Sequence, residues 1–226
     1  MPNRRKIGVC AYCSQTAEIS RDHVIPRCLF PRPLPQDMRT VPACDACNQR
    51  KARHDDFLRD MLVTDVAAED SDVTRQLFKD KVLRSHEKCK SLVARISLND
   101  SKPLPYLTRD GQVDVAHVTD FDPERADEMF DFIIRGLYHT VRGENLAPDT
   151  KVVARRLFKQ DTHAVIDTFN KVGGIGPVTI GSNVFSCVYN YGSETPQASL
   201  WFLEFYDSVH FSAVTKPPGF CPTQAA

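Results

Sequence analysis

The residues best suited to hold a metal ion are four cysteines near the N-terminus. Cys10 and Cys13 form one CxxC pair, and Cys44 and Cys47 form a second pair after thirty intervening residues. Two such pairs supply the four thiolates that satisfy tetrahedral zinc, and the bound ion pins a short segment into a fold. The alternatives are four unliganded thiols or a redox-active CxxC pair, but no thioredoxin-like βαβ pattern surrounds either pair. We therefore predict a structural Zn²⁺ site.

A zinc ion with four thiolate ligands has no open coordination position, so any catalysis must come from other residues. Asp22 and His23 lie between the two cysteine pairs, and Asn48 directly follows the last cysteine. Imidazole titrates near neutral pH and can take a proton from water. The plain alternative is a surface Asp-His dipeptide whose imidazole binds a loop carbonyl.

The combined pattern CxxC, DHxxP and CxxCN resembles the zinc-bearing branch of the HNH, or ββα-metal, endonuclease family. The resemblance runs over residues 9–59, about a quarter of the chain. The matching residues are Cys10, Cys13, Asp22, His23, Pro26, Cys44, Cys47, Asn48 and Lys51.

This resemblance implies a second metal site and a reaction. Asp22 and Asn48 would bind one catalytic divalent cation, Mg²⁺ or Mn²⁺, through hard oxygen ligands, and His23 would be the general base. The expected activity is metal-dependent hydrolysis of DNA phosphodiester bonds. By resemblance alone, we expect a role in bacterial defence or mobile-element biology.

Two features of the motif region depart from the family pattern. The family has a middle Asn on the second strand that orients the base, and no Asn lies in this position before VPAC. The hydroxyl of Thr40 or a backbone carbonyl is the available substitute. His54 and Asp55 follow Asn48 on the expected helix, and they either join the site or are solvated polar residues.

The formal net charge of the 226 residues is zero, but the charge is unevenly distributed. Residues 1–60 contain 11 Lys and Arg against 7 Asp and Glu, which leaves net charges of +4 there and −4 in the remainder. Positive charge beside the motif fits contact with DNA phosphates. Solvated side chains are the default interpretation of the basic residues; those that we expect to contact DNA are Arg21, Arg27, Arg50, Lys51 and Arg53.

The composition is that of a folded protein, with 42% hydrophobic and 26% charged residues. No apolar run approaches the roughly 18 residues that span a bilayer. The basic N-terminus leads into a cysteine pair and not into an apolar signal segment. We expect a cytoplasmic protein with no membrane partner.

The elements that must position these residues follow from local patterns. Two short strands, around ISRDHVI and in TVPAC, flank a proline-rich loop at residues 31–38, and a helix with one apolar stripe follows Cys47. We therefore predict an α+β protein whose residues 1–65 form a ββα-metal zinc module. For residues 66–226 we predict helices at about 71–98 and 123–142 and a β hairpin or small sheet at about 176–215.

The role of residues 66–226 is not readable from the sequence, although they offer a surface for a protein partner or a second copy of the chain. Two rival functions stay open. One is a zinc module that binds nucleic acid or a protein without cutting. The other is an effector nuclease that is silent until a partner engages the C-terminal region.

Overall fold

The structure, a computed structural model, describes residues 6–82, 102–107, 110–118 and 123–220. Helices and antiparallel sheets are both present, which confirms the predicted α+β fold class. The part of the expected helix at 71–98 that follows residue 82 lies outside the described residues. None of the described helices has the length and apolar character needed to cross a membrane.

A three-stranded antiparallel sheet and one helix form the N-terminal module. The strands are β1 (Lys6–Val9), β2 (Thr16–His23) and β3 (Thr40–Cys44), in that order, and α1 (Asp45–Val63) follows β3 directly. β1 is an edge strand that the sequence did not predict, because its four residues are too few to show an alternating apolar pattern. The helix was expected after the second cysteine pair, but it begins inside that pair, with Cys44 as its N-cap.

Short elements connect this module to the next long helix. A 3₁₀ turn (Val66–Ala68), α2 (Asp72–Leu77) and a π-helical turn (Phe78–Val82) follow α1, whereas a second 3₁₀ turn (Arg27–Leu29) lies between β2 and β3. A separate antiparallel pair consists of β4 (Lys102–Leu107) and β5 (Val113–Val118). The described part of the expected helix at 71–98 is therefore α2 followed by a wider, π-helical turn.

The long helix α3 (Pro123–Arg142) packs its apolar face against the N-terminal module. The ring of Phe132 meets the ring of Tyr12 edge to face, with centroids 5.1 Å apart. At Gly136 a Cβ atom would lie only 3.0 Å from a methyl of Val24, so a glycine allows this close approach of helix and module. The helix thus presses directly on the residue that follows His23.

A five-stranded antiparallel sheet forms the C-terminal region, with the strand order β6-β10-β9-β8-β7. Its elements are β6 (Lys151–Leu157), α4 (Lys159–Val172), β7 (Ile175–Ile180), β8 (Phe185–Tyr191), β9 (Ser199–Phe205) and β10 (Val209–Lys216). Burial alternates along β8, β9 and β10, as expected when one face of a sheet packs on the core. β6 is an edge strand of this sheet, although it lies before the range of about 176–215 that was predicted for the sheet.

The buried face of this sheet shares one apolar cluster with α3 and with the module. Specific polar contacts also reach the loop between β2 and β3. The hydroxyl of Tyr206 donates to the carbonyl of Leu29 at 3.0 Å, and the Asp37 carboxylate accepts a hydrogen bond from the backbone N–H of Gly181 at 3.0 Å. The loop that follows His23 is therefore held by the C-terminal sheet. The division of the chain at residue 65 stays a prediction.

Candidate metal centres and active-site cavity

The four predicted zinc ligands meet at one place. The sulfurs of Cys10, Cys13, Cys44 and Cys47 all lie within 4.8 Å of one another, and those of Cys13 and Cys44 are 3.9 Å apart. Tetrahedral zinc with bonds of about 2.3 Å requires neighbouring sulfurs about 3.8 Å apart. The donor set and spacing fit a metal such as zinc.

Backbone geometry brings the two cysteine pairs together. In the first pair, the amide of Ser14 donates to the carbonyl of Cys10 at 2.9 Å, and Ser14 has a positive φ of 60°, which closes a tight turn. The amide of Ala11 donates to the carbonyl of Pro42 on β3 at 2.8 Å. From beyond α3, Asn145 donates to the Cys10 carbonyl at 2.9 Å. The first pair is thus fixed against both β3 and the rest of the chain.

Asp22 and His23 are the last two residues of β2, and they pair with Val41 and Thr40 of β3. Both line a cavity of about 510 Å³ between the sheet, the 3₁₀ turn at Arg27–Leu29 and α1. Besides His23, its charged lining consists of the carboxylates Asp22, Asp55 and Asp56 and the cations Arg27, Arg32, Lys51 and Lys81. A cavity with carboxylates, an imidazole and several cations is suited to a charged substrate.

Lys51 lies inside this site and not on the surface. Only 3% of the surface of Lys51 is exposed, so the default interpretation of Lys51 as a solvated charge is wrong. The ammonium donates to the carbonyl of His23 at 2.8 Å and lies 3.4 Å from Asp22 and 3.6 Å from Asp55. Helical spacing places Lys51 and Asp55 on the same face of α1. Lys51 therefore bridges two carboxylates and fixes the end of β2.

Asn48 occupies a different position from Asp22. Its side-chain amide contacts the hydroxyl of Ser20 at 3.4 Å, and within the described chain it is not one of the residues that line the cavity. Ser20 and Asp22 share one face of β2 because side chains alternate along a strand. Asn48 thus flanks Asp22 on that face, at the edge of the cavity.

The imidazole of His23 has no hydrogen-bond partner among the described residues, and the cross-strand neighbour Thr40 does not supply one. Burial lowers the pKa of His23, the charge of Arg27 adds to this effect, and Asp22 opposes it. The ring is therefore neutral at pH 7, the form that accepts a proton. No described side chain replaces the middle Asn of the family pattern.

Of the two residues left open on α1, Asp55 lines the cavity and His54 does not. Burial raises the pKa of Asp55; the charge of Lys51 counteracts this, and that of Asp22 adds to it. His54 lies on the side of α1 that faces α3, where its Nε2 is 2.9 Å from the carboxylate of Glu128. His54 therefore belongs to the contact between two helices.

The arginines expected to contact DNA divide into two groups. Arg27 lines the cavity, and Arg21 is exposed on the face of β2 opposite Asp22. Arg50 pairs with Glu128, and the backbone carbonyl of Arg53 accepts a hydrogen bond from α3, so both lie where α1 meets α3. DNA contact by Arg21, Arg50 and Arg53 stays a prediction for surfaces outside the cavity.

The sequence patterns do not single out Tyr12 or Lys81 as residues of the site, whereas Arg32 is one of the basic residues near the motif. Tyr12, inside the first cysteine pair, donates its hydroxyl to the Asp22 carboxylate at 2.6 Å. Arg32 and Lys81 line the cavity. The position of Tyr12 between two zinc ligands was an available signal, whereas no motif includes Lys81. Cys28 also lines the cavity, but burial raises its pKa to about 12, so its thiol stays protonated.

Residues 10–63 match a family model described as HNH endonuclease. The matched segment is about a quarter of the chain and includes both cysteine pairs together with Asp22, His23 and Asn48. No curated protein and no solved structure matched the chain. The match confirms the resemblance to HNH endonucleases over this segment and supports a nuclease-like function in general.

Proposed function

We propose that this chain is a metal-dependent endonuclease that hydrolyses DNA phosphodiester bonds at the cavity beside β2. The observation that carries the proposal is the position of Asp22 and His23 side by side at the rim of one cavity, next to a four-cysteine cluster that fits zinc. Support also comes from the match to HNH endonucleases over residues 10–63. The zinc cluster holds the strands, and the cavity residues carry the reaction.

Asp22 is the main candidate ligand for a catalytic divalent cation, with the amide oxygen of Asn48 as its partner. A bound Mg²⁺ or Mn²⁺ would stabilise negative charge on a phosphate and on the leaving oxygen. The carboxylate of Asp22 is held by Tyr12 at 2.6 Å, so its orientation is set before any ligand binds. The amide of Asn48 is bonded to Ser20, two residues before Asp22, and a side-chain rotation brings its oxygen toward the same face.

His23 is the proposed general base. Burial and Arg27 lower its pKa, so the ring is unprotonated at neutral pH and can accept a proton from an attacking water. The cations that line the cavity place positive charge where a phosphodiester would lie, which attracts the substrate and stabilises its added charge. Lys51 holds the carbonyl of His23 and so restrains the residue through its backbone.

The experiment that tests this proposal uses supercoiled plasmid, the purified chain and Mg²⁺ or Mn²⁺. The wild-type protein is expected to nick and linearise the plasmid, and His23→Ala and Asp22→Ala are expected to lose at least about 100-fold in rate. His163→Ala, at a residue that does not line the cavity, is the matched control and should cut normally. Equal cutting by the two site variants and the wild type would make the catalytic assignment wrong.

The rival functions predict other outcomes of the same assay. A zinc module that only binds nucleic acid would retain plasmid without nicking it at any metal concentration. An effector nuclease would cut only after a partner is added. Wild-type cleavage by the purified chain alone contradicts both.

A further inference from the structure

The cavity carries positive charge from outside the segment that matches HNH endonucleases. Lys81 belongs to the π-helical turn at Phe78–Val82, whereas the match ends at residue 63. Its ammonium donates to the carbonyls of Cys28 and Phe30 at 3.0 and 2.8 Å. An ammonium has three N–H donors, and the two carbonyls use two of them. The third donor of Lys81 is available to a ligand in the cavity that Lys81 lines.

Among the described residues, Lys81 is one of three cavity cations with no carboxylate partner within ion-pair distance. Lys51 is neutralised by Asp22 and Asp55, but no carboxylate of the described residues lies within ion-pair distance of Arg27, Arg32 or Lys81. Burial lowers the pKa of Lys81, and the charges of Arg59 and Arg32 add to this effect, whereas the charge of Asp56 opposes it. Gathering like charges in one cavity costs free energy unless an anion binds there.

We propose that Lys81 and Arg32 form a subsite for a phosphate of the DNA backbone next to the scissile phosphate. This inference rests on the proposed endonuclease function and adds to it a cation, Lys81, that lies outside the matched segment. The two carbonyls fix the position of the Lys81 ammonium, and Arg32 is exposed at the rim and can reach outward. Lys81 therefore supplies a donor in a fixed position, and Arg32 supplies a guanidinium that can adjust its position to a phosphate.

An alternative role for Lys81 is structural, because it ties the π-helical turn to the loop after β2. Arg32 separates the two roles. Its side chain is exposed and has no polar partner among the described residues, so removing its charge should leave stability unchanged. A phosphate subsite requires both cations, whereas a structural tie requires only Lys81.

The test is binding of a short labelled DNA duplex, followed by fluorescence anisotropy at several salt concentrations without added Mg²⁺ or Mn²⁺. In the full chain, Lys81→Met and Arg32→Gln are each expected to weaken binding about 3- to 10-fold. Each should also reduce the slope of log affinity against log salt by about one. The matched controls are Lys79→Met, on the same turn, and Arg39→Gln, in the same loop; both residues are exposed, do not line the cavity, and should bind like the wild type.

The outcomes separate this proposal from the endonuclease proposal. If Arg32→Gln and folded Lys81→Met bind DNA as well as the wild type while the wild type cuts plasmid, the subsite is wrong and the endonuclease function stands. A wild-type chain that neither binds the duplex nor cuts plasmid overturns both. Should Lys81→Met fail to fold, the result with Arg32→Gln decides.

Discussion

The hydroxyl of Tyr12 donates a hydrogen bond of 2.6 Å to the carboxylate of Asp22. Tyr12 lies between the predicted zinc ligands Cys10 and Cys13, so a single hydrogen bond connects the cysteine cluster to the proposed cation ligand. Burial raises the pKa of Tyr12, and the charge of Asp22 raises it further, so the hydroxyl keeps its proton and remains a donor. The cysteine cluster and the cavity are therefore directly connected.

Tyr12→Phe should weaken binding of the catalytic cation while leaving the fold intact. Phenylalanine keeps the edge-to-face contact with Phe132 and removes only the donor to Asp22. Loss of such an outer partner typically costs 10- to 100-fold in metal affinity or activity, and we expect about 10-fold for Mn²⁺ affinity. Titration of Mn²⁺ and cleavage rates at each metal concentration measure the change.

Tyr138→Phe is the control for this change, because Tyr138 is also buried and donates to Glu144, away from the cavity. It should bind Mn²⁺ normally. Unchanged Mn²⁺ affinity and cleavage in Tyr12→Phe would show that the hydrogen bond does not position Asp22 for a cation.

Variants of Asn48 and Asp55 should identify the second ligand of the catalytic cation. Loss of a direct ligand should cost more than loss of an outer partner, so Asn48→Ala is expected to weaken Mn²⁺ binding about 100-fold. Asn48→Asp should retain binding because a carboxylate oxygen suits the same ion. Asp55→Asn should have a smaller effect, because the proposed assignment gives Asp55 no direct contact with the cation. Strong loss in Asp55→Asn together with normal binding in Asn48→Ala would reverse the assignment.

Elemental analysis of the purified chain should give one tightly bound zinc ion. Cys44→Ser is expected to lose this zinc and the cooperative unfolding of the N-terminal module, because a segment stapled by metal depends on it for folding. Cys28→Ser, a matched change outside the cluster, should keep one zinc per chain. A Cys44→Ser protein that unfolds at the wild-type temperature would contradict the structural role of the metal.

Protonation of His54 should destabilise the fold below pH 6.5. Burial is the main cause that lowers the pKa of His54, and Arg125 and Arg50 add to it, whereas Glu128 opposes it. A lowered pKa means that the unfolded chain binds the proton first, so stability present above pH 6.5 is lost as the pH falls toward the folded-state pKa. Urea unfolding of the wild type and His54→Gln at pH 7.5 and 5.5 measures this.

The stability difference between the wild type and His54→Gln should shrink from pH 7.5 to 5.5, because glutamine does not titrate. Comparison of the two proteins cancels any pH effect on the zinc cluster that both share. A difference that stays constant or grows on acidification would contradict this direction.

Local patterns in the sequence were sufficient for the parts of the protein whose geometry is local. The spacing of the cysteine pairs identified the cluster that the structure brings together, since a CxxC turn sets its own backbone. Apolar spacing after Pro123 indicated α3, and alternation near the C-terminus indicated antiparallel strands. The predicted strand around ISRDHVI contains Asp22 and His23, and in the structure these are the last two residues of β2.

Tertiary structure alone decided which charges share the cavity. Lys81 reaches the carbonyls of Cys28 and Phe30 across more than fifty residues of chain, and no local spacing encodes such a contact. The rotation of α1 on the sheet turns Lys51 and Asp55 inward and sends Arg50 and His54 to α3, because each side of the helix meets a different partner. Local sequence patterns identified the four cysteines of the cluster and the Asp-His pair. Packing of distant segments determined what surrounds them.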